Sequence, residues 1–162
     1  MSEKNNGAVL KGQIKNGMVV INKIDSFYRQ FCLNDRKLLG KKTPSAIIIA
    51  EIFTDFYTCA ETVFLRISRF FENDLSSRTW HKDLLDKMIL EIQGVRKAVL
   101  GDATYKILIE FLKFRHFRRY YFEFDYDWDR IDYLEKKYKQ VLPLLKRDLD
   151  TFCTFLDKIN KR

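Results

Sequence analysis

Residues 114–130, FRHFRRYYFEFDYDWDR, concentrate arginine, histidine and aromatic side chains in a pattern suited to chemistry on an anion. On a helix, Arg115 and Arg119 lie on one face a turn apart, and His116 and Tyr120 form the adjoining strip. Two stacked guanidinium groups repel each other unless an anion lies between them, and phosphate oxygens match guanidinium two at a time. An imidazole beside a phosphate can move a proton to or from a ribose hydroxyl. The segment is therefore a candidate site for RNA chemistry.

The same arginines also have a simpler interpretation. Arg118 and Arg119 can pair with Glu123 and Asp125 on a solvated helix face that has no function. The pattern alone slightly favours this second interpretation.

The acidic residues at 125–129 begin like a calcium-binding loop. That pattern fails further on, because Arg130 occupies the place of the turn glycine and Lys136 the place of the closing glutamate. Acids are favoured at the positive N-terminal end of a helix, so we interpret these residues as caps of the last helix. The sequence predicts no metal site.

Further candidates lie outside this segment. His81 falls in the first turn of a predicted helix, where a lone histidine is more often structural or exposed than catalytic, but it is one of only two histidines. A carboxylate that faces Arg115 would orient its guanidinium group, and Arg66 extends the basic surface. The polar residues near one side of the second predicted helix are Asp55, Thr58, Glu61 and Thr62.

The elements that position these residues are helices, because apolar residues recur every three or four positions. The predicted spans are 8–33, 45–72, 80–92, 102–122 and 129 onward. Thr43 is the predicted N-cap of the second helix, with Pro44 at its first position, and Pro143 should kink or divide the last helix. With no linker or repeat, the sequence predicts one domain over 1–162. Its expected fold is an all-α, up-and-down bundle of about five helices, with residues 1–7 frayed.

Composition restricts the partners and the compartment. The 162 residues carry a formal net charge of +8, which favours a polyanionic partner such as RNA. The longest apolar run, residues 46–50, is far too short for a membrane span, and the N-terminus lacks the features of a signal peptide. Three cysteines that form no C-x-x-C pair lie in apolar contexts and are expected to be buried free thiols. These features predict a cytoplasmic protein without a membrane segment.

Four stretches resemble HEPN-domain proteins, specifically the HepT-like toxins of HEPN/MNT toxin–antitoxin pairs. They occur in the order FTDFYTCAETVFLRI, WHKDLLDKM, VRKAVLGDATYKILIEFLKFRHFRRYY and FDYDWDRI, over roughly residues 45–160. The resemblance implies an HEPN-like homodimeric bundle that cleaves RNA and needs neither a metal nor another cofactor. It also implies a nucleotidyltransferase antitoxin of the MNT type as the partner.

The HEPN motif is Arg, a polar residue, three more positions, His, one position and Tyr. Arg115 matches the motif arginine and His116 its polar position, whereas Tyr120 stands in place of the histidine and Phe122 in place of the tyrosine. His116 borders the same sector and can supply the imidazole. Tyr120 or Tyr121 can offer the hydroxyl to which the antitoxin would transfer AMP.

The resemblance implies a role for each candidate residue. Arg115 and Arg119 would hold the scissile phosphate, and His116 would move the proton as the ribose 2′-hydroxyl attacks; Tyr120 completes the catalytic candidates. Glu61 and Asp55 would support them. The flanking phosphates would be bound by Lys113, Arg118 and Arg66. The alternatives are a catalytically silent HEPN module that binds a nucleotidyltransferase or nucleic acid, and a helical interaction domain unrelated to RNA.

Overall fold

A computed structural model describes residues 3–72, 80–120 and 126–160, which form an all-α bundle without a strand in these ranges. The helices are α1 (Glu3–Leu33), α2 (Asp35–Leu39), α3 (Thr43–Phe71), α4 (Trp80–Met88), α5 (Asp102–Tyr120) and α6 (Trp128–Asn160). Apart from the short α2, the described residues contain the five helices that the periodicity predicts. The expected fold class is therefore confirmed.

Helix α3 lies at the centre of the bundle, in contact with α1, α2, α4, α5 and α6. It takes this place because an apolar side chain recurs every three or four residues along its whole length. Burying a side chain of this size stabilises the fold by about 1.5–3 kcal/mol relative to leaving it exposed. The fully buried positions include Ile49, Phe53, Phe56, Ala60, Phe64 and Ile67.

Aromatic rings fix α5 and α6 against α3. The Phe111 ring of α5 lies 5.4 Å from the rings of both Phe53 and Phe56, in edge-to-face contact. The Tyr138 ring of α6 lies 5.3 Å from Phe53 and 5.2 Å from Phe56. Edge-to-face pairs prefer one mutual orientation, so these contacts restrict rotation of α5 about its axis. They thereby fix the direction in which Arg115, one turn beyond Phe111, leaves the helix.

Helices α1 and α3 approach closely at Gly17. A Cβ atom added to Gly17 would lie 2.3 Å from Cγ2 of the buried Val63. Gly17 is thus needed for the close approach, whereas a Cβ atom at Gly12 on the same helix would meet nothing within 4 Å.

Three features of the first part of the chain differ from the sequence prediction. Helix α1 ends at Leu33, as predicted, but the short helix α2, which was not predicted, follows it and is terminated by Gly40, whose φ of 69° suits glycine. Helix α3 begins at Thr43 itself, and the cap position is Lys42, which makes no side-chain cap hydrogen bond. The prediction that Thr43 caps α3 was therefore wrong by one position. Helix α1 begins at Glu3 instead of at residue 8.

Helix α6 is one continuous element although it contains Pro143. Proline removes the hydrogen bond to the carbonyl group of Lys139, four residues earlier. Both residues are exposed, so water can bind that carbonyl group and the loss does not end the helix. Of the two effects expected of Pro143, a kink or a division of the helix, the division was wrong for this reason.

Helix α4 ends at Met88, four residues before the predicted end, because the segment after it is held by a buried arginine. The Arg96 side chain is fully buried and donates hydrogen bonds to the carbonyl groups of Lys87 (2.9 Å), Leu90 (2.8 Å) and Lys97 (3.2 Å). It also pairs with Glu72 at the end of α3, with 2.7 Å between Nε and Oε1. This network attaches the short α4 to the bundle.

Carboxylate groups accept hydrogen bonds at the N-terminal ends of the last two helices. Asp127 accepts a hydrogen bond from the backbone N–H of Asp129 at 2.9 Å, which confirms that an acid caps α6. Asp148 of α6 accepts bonds from the N–H of Gly101 at 2.9 Å and from the hydroxyl group of Thr104, at the start of α5. The two helices are thus joined at the N-terminal end of α5.

Candidate functional site

Arg115 is buried between α5 and α3 and does not project into an open groove. Its side chain is 7% exposed, and its guanidinium group pairs with both oxygens of Glu61 on α3, at 2.9 Å for each N···O contact. Nη1 also lies 3.3 Å from the hydroxyl oxygen of Thr58. The anion expected beside Arg115 is therefore a carboxylate of the same chain. Such a bidentate arginine–carboxylate pair is directional and is among the stronger hydrogen-bonded contacts in proteins.

His81, in the first turn of α4, completes this cluster. Its Nδ1 atom lies 2.8 Å from Oε2 of Glu61 and 3.0 Å from Nη2 of Arg115. The imidazole ring also contacts the neighbouring Trp80 ring, with 3.6 Å between centroids. We call Glu61, His81 and Arg115 the Glu61–His81–Arg115 cluster. It joins one residue each from α3, α4 and α5.

The proton positions in the cluster follow from the hydrogen-bonding capacity of its groups. The Glu61 carboxylate that Arg115 holds offers only acceptor oxygens. The contact of 2.8 Å between Oε2 and Nδ1 is shorter than the 3.0 Å contact between Nδ1 and Nη2 of Arg115, which can only donate, and it therefore favours a proton on Nδ1 of His81. In a neutral imidazole this leaves Nε2 with a lone pair, which is the form that can accept a proton.

Tyr57 forms one wall of the cluster. The guanidinium carbon of Arg115 lies 4.9 Å from the centre of the Tyr57 ring, a cation–π contact. Burial, followed by the nearby charge of Glu61, raises the pKa of Tyr57 above its usual range, so its hydroxyl group stays neutral. A neutral aromatic wall screens the ion pair from water and strengthens it.

Arg118 occupies a different position from Arg115. It forms an ion pair with the exposed Glu51 on α3 and lies 3.1 Å from the hydroxyl oxygen of Thr54. Asp55 is exposed nearby, and partial burial together with Glu51 raises its pKa, against the effect of Arg118. Of the two supporting carboxylates predicted, the structure thus brings Glu61 to Arg115 and places Asp55 near Arg118.

Three other predicted residues lie on the outer surface of α5. Lys113, His116 and Arg119 are all exposed, and Lys113 also lies 3.5 Å from Glu110. Arg119 is one turn beyond Arg115, as predicted, but it is on the surface whereas Arg115 is buried. The two arginines therefore do not form one open phosphate site within a single chain.

Arg66 is not brought to this region. It lines a separate depression of about 490 Å³ between α1 and α3, beside Arg69 and Phe70. Tyr120 is the last residue of α5. The Tyr120 side chain and residues 121–125, which include Tyr121 and the expected partners Glu123 and Asp125, lie outside the described part of the chain.

Two further observations concern metals and membranes. In the ranges that the structure describes, no three His, Cys, Asp or Glu side chains come together as a metal site would need. No helix in these ranges combines the length and apolar character needed to cross a membrane. Cys32, Cys59 and Cys153 are all free thiols, but only Cys153 is buried as expected, whereas Cys32 and Cys59 are half-buried.

His81 is the residue that sequence reasoning mentioned without placing in the site. The available signal was the rarity of histidine, because the chain has only two. Sequence spacing could not join His81 to Arg115, which is 34 positions away.

Comparison with known proteins gives a family. Residues 48–156 match the model of a family described as HepT-like protein. The matched range covers more than half of the chain and includes all three residues of the Glu61–His81–Arg115 cluster. No curated protein and no solved structure matches the chain significantly.

Proposed function

The chain belongs to the HepT-like protein family, and from this we infer that it is the toxin-type member of a HEPN/MNT toxin–antitoxin pair and cleaves RNA without a metal ion. The observation that carries the proposal is the Glu61–His81–Arg115 cluster. It places the motif arginine of α5 against an imidazole whose tautomer is set by a buried carboxylate. An oriented imidazole in a chain of net charge +8 suits RNA as a substrate.

RNA supplies its own nucleophile, so the protein has to provide only a base and cations. The ribose 2′-oxygen loses its proton to an imidazole and attacks the adjacent phosphorus. The bond from phosphorus to the 2′-oxygen forms as the bond to the 5′-oxygen breaks, and the departing oxygen takes a proton from water. The products are a 2′,3′-cyclic phosphate and a 5′-hydroxyl end.

The exposed cations of α5 hold the RNA in this proposal. Arg119 and Lys113 bind phosphates, and Arg118 contributes where the RNA displaces Glu51. The active form is a homodimer in which the two α5 helices line one cleft. The antitoxin is a nucleotidyltransferase of the MNT type that covers this cleft or transfers AMP to Tyr120 or Tyr121.

The test is incubation of the purified protein with total RNA in the presence of EDTA. We expect the wild type to cut and to leave cyclic phosphate ends, because no step needs a metal. Arg115→Ala and Arg115→Lys should each lower cleavage by about 100-fold or more, since neither holds both oxygens of Glu61. Lys106→Ala, on the far part of α5, is the matched control and should cut like the wild type.

A second function is favoured by one observation. Tyr120 and Phe122 occupy the histidine and tyrosine positions of the motif, as in a silent module that binds a nucleotidyltransferase or nucleic acid. A wild-type protein that binds RNA in EDTA but leaves it intact would establish this alternative. A protein that neither cuts nor binds RNA would contradict the ribonuclease and favour the helical interaction domain unrelated to RNA.

A further inference from the structure

The residue at the motif histidine position cannot act as the base at neutral pH. Tyr120 is a phenol, and phenols titrate near pH 10. Cleavage therefore requires an imidazole from elsewhere, and the chain has two histidines, His81 and His116. His81 is held by two other side chains and is partly exposed, as a catalytic base needs to be.

One side of the His81 ring is held inside the protein. Nδ1 contacts Glu61, whose side chain is 8% exposed, and lies beside Arg115, whose side chain is 7% exposed. These contacts come from two different helices, so neither ring rotation nor a flip of the imidazole is possible without breaking a buried pair. The ring is therefore fixed in one orientation, with the proton on Nδ1.

The other side of the ring reaches solvent. The His81 side chain is 31% exposed. Nε2 makes no hydrogen bond with any described residue. The buried side-chain atoms that lack a partner are Ser45 Oγ, Tyr57 Oη, Ser68 Oγ and Tyr138 Oη, and Nε2 is not one of them. As far as the described residues go, Nε2 is neither bonded nor buried, and such a ring nitrogen is open to an incoming hydroxyl group.

Resting on the ribonuclease activity proposed above, we propose that His81 is the catalytic base and that its Nε2 atom accepts the proton of the ribose 2′-hydroxyl. The imidazole becomes an imidazolium as the bond from the 2′-oxygen to phosphorus forms and the bond to the 5′-oxygen breaks. The 5′-oxygen takes a proton from water, and the imidazolium later returns its proton to water. Atoms and charges balance without a further reactant.

Glu61 and Arg115 are positioning residues in this scheme. Glu61 accepts the Nδ1 proton and stabilises the imidazolium that forms, as a carboxylate behind a histidine does. Arg115 holds both Glu61 oxygens and so keeps the carboxylate in place. The motif arginine therefore acts through the carboxylate that it holds, and the phosphate is left to the exposed cations.

The test uses a variant that separates structure from chemistry. Asparagine at position 81 keeps an N–H donor near the place of Nδ1, and it has no group equivalent to Nε2. His81→Asn should therefore preserve the contact with Glu61 and the melting temperature while it removes the base. His81→Ala opens a space that free imidazole can enter. His116→Asn removes the other imidazole of the chain. Lys106→Ala is the control variant, which should cut like the wild type.

The readout is single-turnover cleavage of a labelled RNA oligonucleotide in EDTA. We expect His81→Asn to lower the cleavage rate by about 100-fold or more. Added imidazole should raise the cleavage rate of His81→Ala by at least about tenfold and leave that of the wild type unchanged. A loss smaller than about tenfold in His81→Asn, or no response of His81→Ala to imidazole, overturns the assignment and leaves the nuclease standing. A wild type that does not cut overturns the proposed function together with it.

Discussion

Arg115 and Arg119 have the same side chain one turn apart on α5, and their surroundings differ completely. Arg115 is buried and its charge is neutralised by Glu61, whereas Arg119 is exposed. Taking two charges out of water is unfavourable, and their attraction compensates for this only while both are present. The two arginines therefore cannot have the same role, and substitutions should separate a stability effect from an RNA effect.

Removal of Glu61 should be much more harmful than removal of Glu51, although both pair α3 with an arginine of α5. We expect Glu61→Ala to lower the free energy of unfolding by about 3–5 kcal/mol, because the charge of Arg115 is left buried without its counter-charge. Glu51→Ala should lower it by less than about 1 kcal/mol, because the Glu51 side chain is 55% exposed and the pair is screened. Urea unfolding measures both, and equal losses would contradict the burial of the Arg115 pair.

The sequence indicated part of the site at this scale. Helical spacing placed Glu61 on the polar side of α3, where a carboxylate was expected to meet Arg115, and the structure shows that contact. The same spacing placed Arg115 and Arg119 in one sector but could not show that only Arg115 is covered. The burial of Arg115 depends on where α4 lies, and the spacing of residues within α5 cannot predict that position. His81 was missed for the same reason.

At the scale of elements, α4 depends on its neighbours more than any other helix of the site. It has nine residues, fewer than an isolated helix needs to be stable in water. Its position comes from buried Leu84, Leu85 and Met88 and from the carbonyl groups held by Arg96. The position of His81 is therefore set by residues that take no part in chemistry.

The close approach of α1 and α3 gives a pair of opposite expectations. Gly17→Ala should lower the free energy of unfolding by about 1–3 kcal/mol, because the new methyl group would overlap the buried Val63. Gly12→Ala should raise it by about 0.5–1 kcal/mol, since alanine favours a helix and the space is open. Thermal or urea unfolding of both variants checks the packing. Two changes of the same sign would show that α1 is not seated against Val63.

Helix existence was predictable and several helix ends were not. The spacing of apolar residues by three and four positions predicted α1, α3, α4, α5 and α6, because each of these helices must bury an apolar face. The end of α4 was placed four residues too late, since Ile92 continues the apolar pattern while Arg96 holds the backbone in another shape. Pro143 was overrated as a helix breaker because the carbonyl group that loses its partner is on the exposed side of α6.

At the scale of the whole molecule, the net charge of +8 should govern RNA binding through release of counterions. If Arg119 binds a phosphate, Arg119→Ala should reduce the slope of log affinity against log salt concentration by about 0.7, the value for one contact with a single strand. Lys106→Ala is the control, because Lys106 is already paired with Asp102 and lies about 20 Å away along α5. Filter binding or fluorescence anisotropy over a salt series measures the slope. An unchanged slope for Arg119→Ala would remove this residue from the RNA contact.

The order of the cluster residues along the chain has a consequence for synthesis on the ribosome. Glu61 is made 54 residues before the guanidinium group that neutralises it. Until α5 emerges, the growing chain cannot close α3 and α4 around that carboxylate without burying an unpaired charge. The Glu61–His81–Arg115 cluster therefore cannot assemble until translation has passed α5, and a chain that ends before Arg115 lacks it.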